Sequence, residues 1–417
     1  MTKPMSKIEK LIAELCPNGV EFKDLGRLAI FENTGVDKKI VDSEQRVRLL
    51  NYMDVYNNKH INRDILKMEV SASDSKIKNC NIEKGDIFIT PTSETIDDIG
   101  HAAVADENIS GAVYSYHIMR IRLNEKNDTA PYFISYLFES DIIQKQILKL
   151  ATGMTRFGLK KSKFESIKIP LPPLAIQEEI VKILDSFTEL EAELEAELEA
   201  RKKQYEYYRE ELLTCNQKIN RKTLGEATLL TNNIKWKDTN KTYKYIDLTS
   251  VSREDHSIYE PVEIDANNAP SRAQKLIQKD DVIFATTRPT LRRFTLIGNN
   301  FDGQVASTGY CVLRANKNIV LPKWIYFNIA SNVFNDYVEK NQEGSAYPSI
   351  SDAKVKSFII PIPPLAEQER IITILDKFDA LVNDISIGLP AELSARRSQY
   401  EYYRNKLLTF EPLNNNY

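Results

Sequence analysis

Hydrophobic residues recur at steps of three and four positions along two long stretches of the chain, residues 169–215 and 360–410. Residues three and four positions apart share one face of a helix, so this spacing predicts two long amphipathic helices. A Pro-Pro pair near the start of each stretch supports this, because the first turn of a helix tolerates a missing N–H. Two such apolar stripes in one chain are expected to pack on each other. The residues of this expected interface include Ile180, Phe187, Leu194, Tyr205, Tyr208, Ile371, Phe378, Tyr400 and Tyr403.

The two helical stretches are copies of each other. Equivalent residues lie 191 positions apart at the start of the copies and 195 apart at Tyr205 and Tyr400. The second copy contains Gly388 and Pro390, which are expected to break or kink it, because a proline inside a helix removes a hydrogen bond.

A short amphipathic helix is predicted at residues 6–16, and its end matches the end of the first long helix. Cys16 corresponds to Cys215, which lies 199 positions later. The chain therefore begins partway through its own repeat unit, and the last helix supplies the missing part. This arrangement predicts that the N-terminal and C-terminal segments meet in space.

Two blocks of mixed helix and strand signals, residues 20–168 and 220–359, precede the two helical copies. They predict an α+β or α/β fold with two similar domains. The strand-like runs and the helical stretch follow the same order in both blocks: 86–90, 116–122 and 131–150 in the first, and 281–285, 310–314 and a stretch from Pro322 onward in the second. The predicted divisions of the chain are 1–19, 20–168, 169–219, 220–359 and 360–417.

Each helical copy reads IPxPPLAxQExI, then ILDxF, then RxxQYxYYRxxLL. This duplicated signature resembles the specificity subunit of a type I DNA restriction-modification enzyme, most closely the class with short tandem repeats in its central helix. The resemblance implies two target-recognition domains joined by two long antiparallel helices, in a pseudo-twofold and circularly arranged repeat. It also implies the partners, which are double-stranded DNA, two methyltransferase (modification) subunits and two restriction subunits that carry the motor and the nuclease.

The central helix contains the tetrapeptide ELEA three times in succession, at residues 189–200. Locally this predicts an acidic, solvated helix surface. Each repeat also adds about 6 Å of helix. In the resembling family such repeats set the distance between the two halves of a split DNA site, so both interpretations can hold together.

The Tyr-rich ends of the two long helices have two possible roles. Tyr205, Tyr208, Tyr400 and Tyr403 are expected either to contact partner subunits or to pack within the intramolecular coiled coil.

Bulk composition constrains the class of protein. The chain has 42% hydrophobic and 28% charged residues, as expected for a soluble globular protein. A net charge of −3 lacks the basic excess usual in nucleic-acid binders, although the Glu-rich central helix masks basic residues elsewhere. The four cysteines include no CxxC pair and no signal peptide is evident, which predicts reduced thiols in the cytoplasm. The four histidines lack metal-ligand spacing, and no apolar run is long enough to span a membrane.

Motifs of catalysis are missing from the sequence: it has no P-loop, no HExxH, no GxSxG and no NPPY-type motif of adenine methyltransferases. The chain is therefore expected to have no catalytic residues and no cofactor. A coiled-coil scaffold that binds only protein is the rival interpretation, slightly favoured by the acidic pI.

Four loops carry the side chains that are expected to touch DNA. Basic and hydroxyl-bearing side chains bind phosphate, Arg reads guanine O6 and N7, and a carboxylate accepts from the cytosine amino group. A solvated or structural turn is the alternative in each case. The candidates are Arg156, Lys160, Lys161 and Lys163 before the central helix, Tyr347 and Lys354 at the equivalent place in the second block, Arg288, Arg292 and Arg293 after a strand of the second block, and Thr92 and Glu94 after the matching strand of the first. Residues 57–60 form a weaker candidate.

Overall fold

The computed structural model describes residues 5–124, 129–214, 219–384 and 386–413; Cys215 lies outside them. The chain divides into two compact units. The first unit comprises Met1–Ala192 and Ala395–Tyr417, and the second comprises Glu193–Ser394.

Helices and short strands alternate through the first block. Its helices, with the N-terminal helix and the central helix, are α1 (Lys7–Leu15), α2 (Tyr52–Asn57), α3 (Asp74–Asn79), α4 (Pro131–Glu139), α5 (Asp141–Leu150), α6 (Lys161–Glu165) and α7 (Leu174–Thr214). Its strands are β1 (Glu21–Asp24), β2 (Ala29–Glu32), β3 (Gln45–Leu50), β4 (His60–Ile61), β5 (Met68–Ala72), β6 (Ile87–Ile89), β7 (Thr92–Ser93), β8 (Ala102–Ala105), β9 (Ala112–Tyr114), β10 (Met119–Leu123), β11 (Phe157–Gly158) and β12 (Lys168–Leu171).

The second block repeats this plan. Its strands are β13 (Arg221–Thr223), β14 (Thr228–Leu229), β15 (Tyr243–Ile246), β16 (Val262–Ile264), β17 (Ala273–Leu276), β18 (Val282–Ala285), β19 (Phe294–Leu296), β20 (Val305–Ser307), β21 (Tyr310–Ala315) and β22 (Ile359–Pro361). The helices from here to the C-terminus are α8 (Leu224–Ala227), α9 (Pro322–Ala330), α10 (Asn332–Asn341), α11 (Asp352–Lys356), α12 (Leu365–Asn383) and α13 (Leu389–Leu408).

The main sheets have matching centres. In the first block the order is β2-β10-β6-β8-β4, beside a smaller sheet β5-β3-β9, and in the second it is β14-β21-β18-β19, beside β16-β15-β20-β17. The strands predicted from the sequence are therefore present. The stretch predicted as one helix at 131–150 consists of two helices, because Ser140 is extended (φ −78°, ψ 150°) between α4 and α5.

An ion pair with a buried aspartate is repeated at the start of a central strand in both main sheets, β6 and β18. Asp86 and Asp281 are each 1% exposed. Arg122 donates two hydrogen bonds of 2.6 Å to Asp86, and Arg314 donates bonds of 2.8 and 2.7 Å to Asp281. Such two-pronged pairs have a specific geometry, since the guanidinium is planar, and here each one links the residue before a strand to the neighbouring strand.

The repeated PPLAxQ motif places a buried glutamine at the start of each long helix. The Gln177 amide donates to the Pro172 carbonyl (2.8 Å) and its oxygen accepts from the Ala130 N–H (2.9 Å). Gln368 makes the same pair of bonds with Pro363 (2.8 Å) and Leu321 (2.9 Å). Each glutamine therefore ties a long helix to the segment that precedes a helix of its block.

The two apolar stripes pair within each unit, as predicted. In the first unit the Phe187 ring lies 6.2 Å from Tyr400 and 5.8 Å from Tyr403, and Arg397 binds Glu191 at 2.6 Å. A later residue of α7, Glu191, contacts an earlier residue of α13, Arg397, so the two helices are antiparallel here. In the second unit Phe378 of α12 lies 6.4 Å from Tyr205 and 5.8 Å from Tyr208 of α7. Ile180 and Ile371 are buried in the cores of their units, and Leu194 is half-buried.

The break predicted in the C-terminal helix is confirmed, because α12 ends at Asn383 and α13 begins at Leu389. Gly388 packs tightly at this break, where an added Cβ would lie 2.4 Å from the Ala380 carbonyl oxygen. The chain ends also meet, as the repeat offset predicts. The Val20 N–H donates to the Glu411 carbonyl, and the Leu413 N–H donates to the Val20 carbonyl, both at 2.9 Å.

Candidate nucleic-acid interface

The candidate loops of each block come together in pairs. In the first block β7 pairs with β11, so that Thr92 lies opposite Gly158. In the second block the bridge between Thr287 and Ser349 takes the same place, 195 and 191 positions later. A backbone hydrogen bond next to the bridge is also repeated. The Leu159 N–H donates to the Pro91 carbonyl (3.0 Å), and the Ile350 N–H donates to the Thr286 carbonyl (2.9 Å). We call these paired loops the two-loop platforms: residues 91–94 with 156–159 in the first block, and 286–289 with 347–350 in the second.

The platform of the first block borders a concave surface. Arg156 is exposed, and its guanidinium donates to the Thr92 hydroxyl at 3.2 Å. The cavity beside them has a volume of about 600 Å³. Its lining consists of Tyr52, Met53, Tyr56, Thr92, Ser93, Glu94, Thr95, Asp98, His117 and Arg156. Cationic and anionic groups and aromatic rings therefore face one surface, which is the chemistry that base edges and phosphates require.

Asp98 organises one wall of this cavity. It accepts from the Thr95 hydroxyl and, at 3.3 Å, from the Tyr56 hydroxyl, and it lies 3.7 Å from His101. The hydrogen bond from Thr95 contributes most to a pKa of Asp98 below its ordinary value. Burial lowers the pKa of His117, which also lines this cavity, and Arg156 lowers it further. A neutral His117 ring presents one donor and one acceptor to the cavity.

The lysines after Arg156 belong to a short helix. Lys160 caps α6, and Lys161 lies 3.7 Å from Glu165. Lys160 and Lys163 are exposed, and within the described ranges neither has an ion-pair partner at hydrogen-bond distance. Their position directly after the platform suits contact with phosphate rather than with base edges.

The platform of the second block carries different side chains. The Arg288 N–H donates to the Pro348 carbonyl at 2.7 Å, and its guanidinium carbon lies 4.9 Å from the centre of the Tyr347 ring. Tyr347 is 71% exposed. Lys354 follows the platform in α11, and its side chain is exposed.

Arg292 and Arg293 do not join Arg288 on this platform. The Arg292 guanidinium donates to the Ala330 carbonyl, and burial lowers its pKa. The Arg293 guanidinium donates to the Val251 carbonyl and, at 3.4 Å, to that of Thr249. Both side chains hold backbone of their own block, so contact between them and DNA stays a prediction that the geometry does not support.

The stretch 57–60 is also engaged within the first unit. Lys59 is 13% exposed and pairs with Glu139, while His60 lies 3.2 Å from Asp106. The Glu139 carboxylate also accepts from the Tyr400 hydroxyl at 2.9 Å. Burial alone would raise the pKa of Glu139, but Lys59 holds it below its ordinary value. This cluster connects the first block to α13.

Sequence reasoning missed several residues of these surfaces. Tyr52 and Tyr56 lie four positions apart on α2, with ring centres 6.1 Å apart, and the spacing in NYMDVYNN was the available signal. The exposed tyrosines of the QYEYYR segments were also missed. Tyr207 is 65% exposed and Tyr402 is 62% exposed, whereas Tyr205 is buried.

The described residues offer neither a membrane span nor a metal site. Over that part of the chain no helix is long and apolar enough to cross a membrane. Groups of three or more His, Cys, Asp or Glu side chains that could hold a metal ion are likewise missing from the described ranges.

The sequence matches the profile of the type I restriction modification DNA specificity domain twice, over residues 20–200 and 216–395. The chain therefore belongs to this family and contains two copies of its domain.

Individual relatives agree with this placement. The chain is 35% identical over 270 residues to the type I restriction enzyme EcoR124I/EcoR124II specificity subunit of Escherichia coli, an alignment that spans 60% of this chain and 65% of that relative. It is 28% identical over 341 residues to the Escherichia coli type I restriction enzyme EcoprrI specificity subunit, which spans 76% of this chain and 78% of the relative. A chain from a solved structure on the assembly of a type I restriction-modification system shares the fold, with a TM-score of 0.63 at 15% identity, over 95% of this chain and 98% of that one.

Proposed function

We propose that this chain is the DNA-reading subunit of a type I restriction-modification complex, in which each block reads one half of a split, asymmetric site. The observation that carries the proposal is the pair of two-loop platforms. The two platforms share a backbone bridge and a hydrogen bond beside it, whereas their side chains differ: Thr92, Glu94 and Arg156 in one, Arg288 and Tyr347 in the other. A shared bridging arrangement with different side chains suits two different DNA sequences.

The subunit itself is proposed to be non-catalytic. Methylation of one adenine on each strand would be performed by two modification subunits, and cleavage by restriction subunits with their own motor and nuclease. The chain's part is to place these subunits on the correct site, which requires no cofactor of its own.

The experiment that tests this function is co-expression with the modification subunits followed by genome-wide mapping of N6-methyladenine. We expect a motif of two short defined halves separated by an unspecified gap. A protein-only scaffold is the alternative function, and it would leave the methylation pattern unchanged although the complex forms. DNA affinity supplies a second discriminator, because neutralised phosphates make log affinity fall steeply with log salt.

The repeated QYEYYR segments are proposed as two docking sites for one kind of partner, the modification subunit. Tyr205, Tyr208, Tyr400 and Tyr403 pack on Phe187 or Phe378 within the units, which is the intramolecular role. Tyr207 and Tyr402 project from equivalent positions and stay mostly exposed. Exposed tyrosines are frequent anchors of protein interfaces.

Tyr207→Ala is therefore expected to weaken the binding of one modification subunit by about 30-fold or more, since removal of an interface anchor costs about 2 kcal/mol or more. Tyr402→Ala should act on the other subunit, and the double variant on both. Native mass spectrometry measures the ratio of subunits. Tyr259→Ala, which removes a tyrosine that is 45% exposed in the second block, is the matched control. An unchanged ratio in the double variant would exclude these tyrosines as anchors.

A further inference from the structure

Arg288 occupies an unusual position in the second platform. Its backbone is left-handed, with φ 48° and ψ 55°, a conformation that residues other than glycine seldom adopt. The neighbouring loop holds it there. The Arg288 N–H binds the Pro348 carbonyl, and the Ile350 N–H binds the carbonyl of Thr286 at 2.9 Å. Strain of this kind persists only where the surroundings determine the backbone, so the direction of the side chain is fixed by two loops rather than one.

The Arg288 side chain contacts a ring, but its N–H groups are not used in an ion pair within the described residues. The guanidinium carbon lies over the Tyr347 ring, 4.9 Å from its centre, and Tyr347 is 71% exposed. Within the described parts of the chain no carboxylate lies at ion-pair distance from Arg288. In contrast, Arg292 and Arg293 donate to carbonyls, and Arg314 binds Asp281. A cation–π contact with the ring occupies no N–H group as a hydrogen-bond donor, so these groups remain available.

Resting on the proposed function, we infer that Arg288, supported by Tyr347, reads one guanine in the half-site of the second block. The edge of guanine in the major groove presents O6 and N7, two acceptors that match the two-pronged donor of a planar guanidinium. A phosphate contact requires charge but no fixed plane. A guanidinium that already contacts a ring, on a residue whose backbone the neighbouring loop holds, is better suited to the base edge, because its orientation costs little entropy on binding.

The first platform carries different side chains at the positions that correspond to Arg288 and Tyr347. Its residue equivalent to Arg288 is Ser93, and its residue equivalent to Tyr347 is Arg156, which donates to Thr92 rather than stacking on a ring. The corresponding position therefore carries a cation on a left-handed backbone in one block and a hydroxyl in strand β7 in the other. The guanine contact is expected in one half of the site only.

The test is methylome mapping of the whole complex carrying Arg288→Ala or Arg288→Lys, with Arg253→Ala as control for an exposed arginine elsewhere in the block. We expect one guanine position in one half-site to become degenerate, with a loss of discrimination of about 5- to 150-fold, while the other half-site stays intact. Arg288→Lys should fail like Arg288→Ala because it keeps the charge but lacks the planar fork. Tyr347→Phe, which keeps the ring, should retain the guanine preference, and Tyr347→Ala should weaken it.

The outcomes separate the inference from the function it rests on. An intact motif with uniformly lower methylation in Arg288→Ala would mean a phosphate contact and overturn the inference alone. So would relaxation of both half-sites. A wild-type complex without any split motif would overturn the proposed function, and this inference with it. Unchanged melting temperature and subunit ratio of the variants exclude misfolding as the cause.

Discussion

Replacement of Asp281 with alanine should lower the free energy of unfolding of the second unit by about 3–5 kcal/mol, the usual loss when one partner of a buried ion pair is removed. Asp281 is 1% exposed and accepts three hydrogen bonds: two from Arg314 and one, at 2.8 Å, from the Gln278 N–H. The variant leaves the Arg314 guanidinium, whose side chain is only 19% exposed, without its carboxylate. Chemical denaturation followed by circular dichroism measures the loss.

A surface ion pair of similar length provides the control. Lys323 and Asp376 lie 2.6 Å apart, but their side chains are 46% and 37% exposed. Water screens such a pair, so Asp376→Ala should cost less than about 1 kcal/mol. Equal losses for the two variants would show that burial does not govern the contribution of Asp281. Because Asp86 binds Arg122 in the same way, Asp86→Ala should destabilise the first unit to a similar extent.

The scaffold could be predicted from the sequence because it depends on local periodicity. The apolar stripe determines where α7 lies, Gly388 marks the gap between α12 and α13, and the offset of Cys16 from Cys215 predicts that the chain ends meet. All these features follow from spacing along the chain. The spacing occurs twice in the chain, which strengthens the prediction of two paired helices.

The roles of individual polar side chains could not be predicted in this way, because their partners are distant in sequence. Arg292 and Arg293 look equivalent to Arg288 in the sequence TTRPTLRR, yet their carbonyl partners are Ala330 and Val251. Only the tertiary fold distinguishes an arginine that holds backbone from one that is exposed. The same limit applies to Lys59, which was a weak DNA candidate and is buried against Glu139.

The tyrosines illustrate an intermediate case. The helical period places positions 205 and 208 on one face of α7 and position 207 on another. The apolar stripe alone leaves open whether a partner subunit or the paired helix covers that face. The ring contacts of Phe187 and Phe378 resolve this in favour of the paired helix. Tyr207 and Tyr402 are more exposed than Tyr208 and Tyr403, which is why we propose them as the anchors for a partner.

Insertion of one further ELEA unit into α7 should abolish methylation at the original sites and produce a new set with the same two half-sites and a wider gap. The helix is continuous from Leu174 to Thr214, so four added residues lengthen it by about 6 Å and rotate its end by about 40° beyond a full turn. Each DNA base pair adds about 3.4 Å. The gap is therefore expected to widen by about one base pair, because a helix tilted against the DNA transmits only part of its length.

Deletion of one ELEA unit should shift the gap in the opposite direction, which makes the pair of variants more informative than either alone. Glu193→Gln changes the charge of the array but not its length, so its methylation motif should match that of the wild type. Methylome mapping of the four complexes, including the wild type, measures half-sites and gap together. A gap that stays constant through insertion and deletion would refute the idea that α7 sets the spacing. A gap that changes with Glu193→Gln would assign the effect to charge rather than to length.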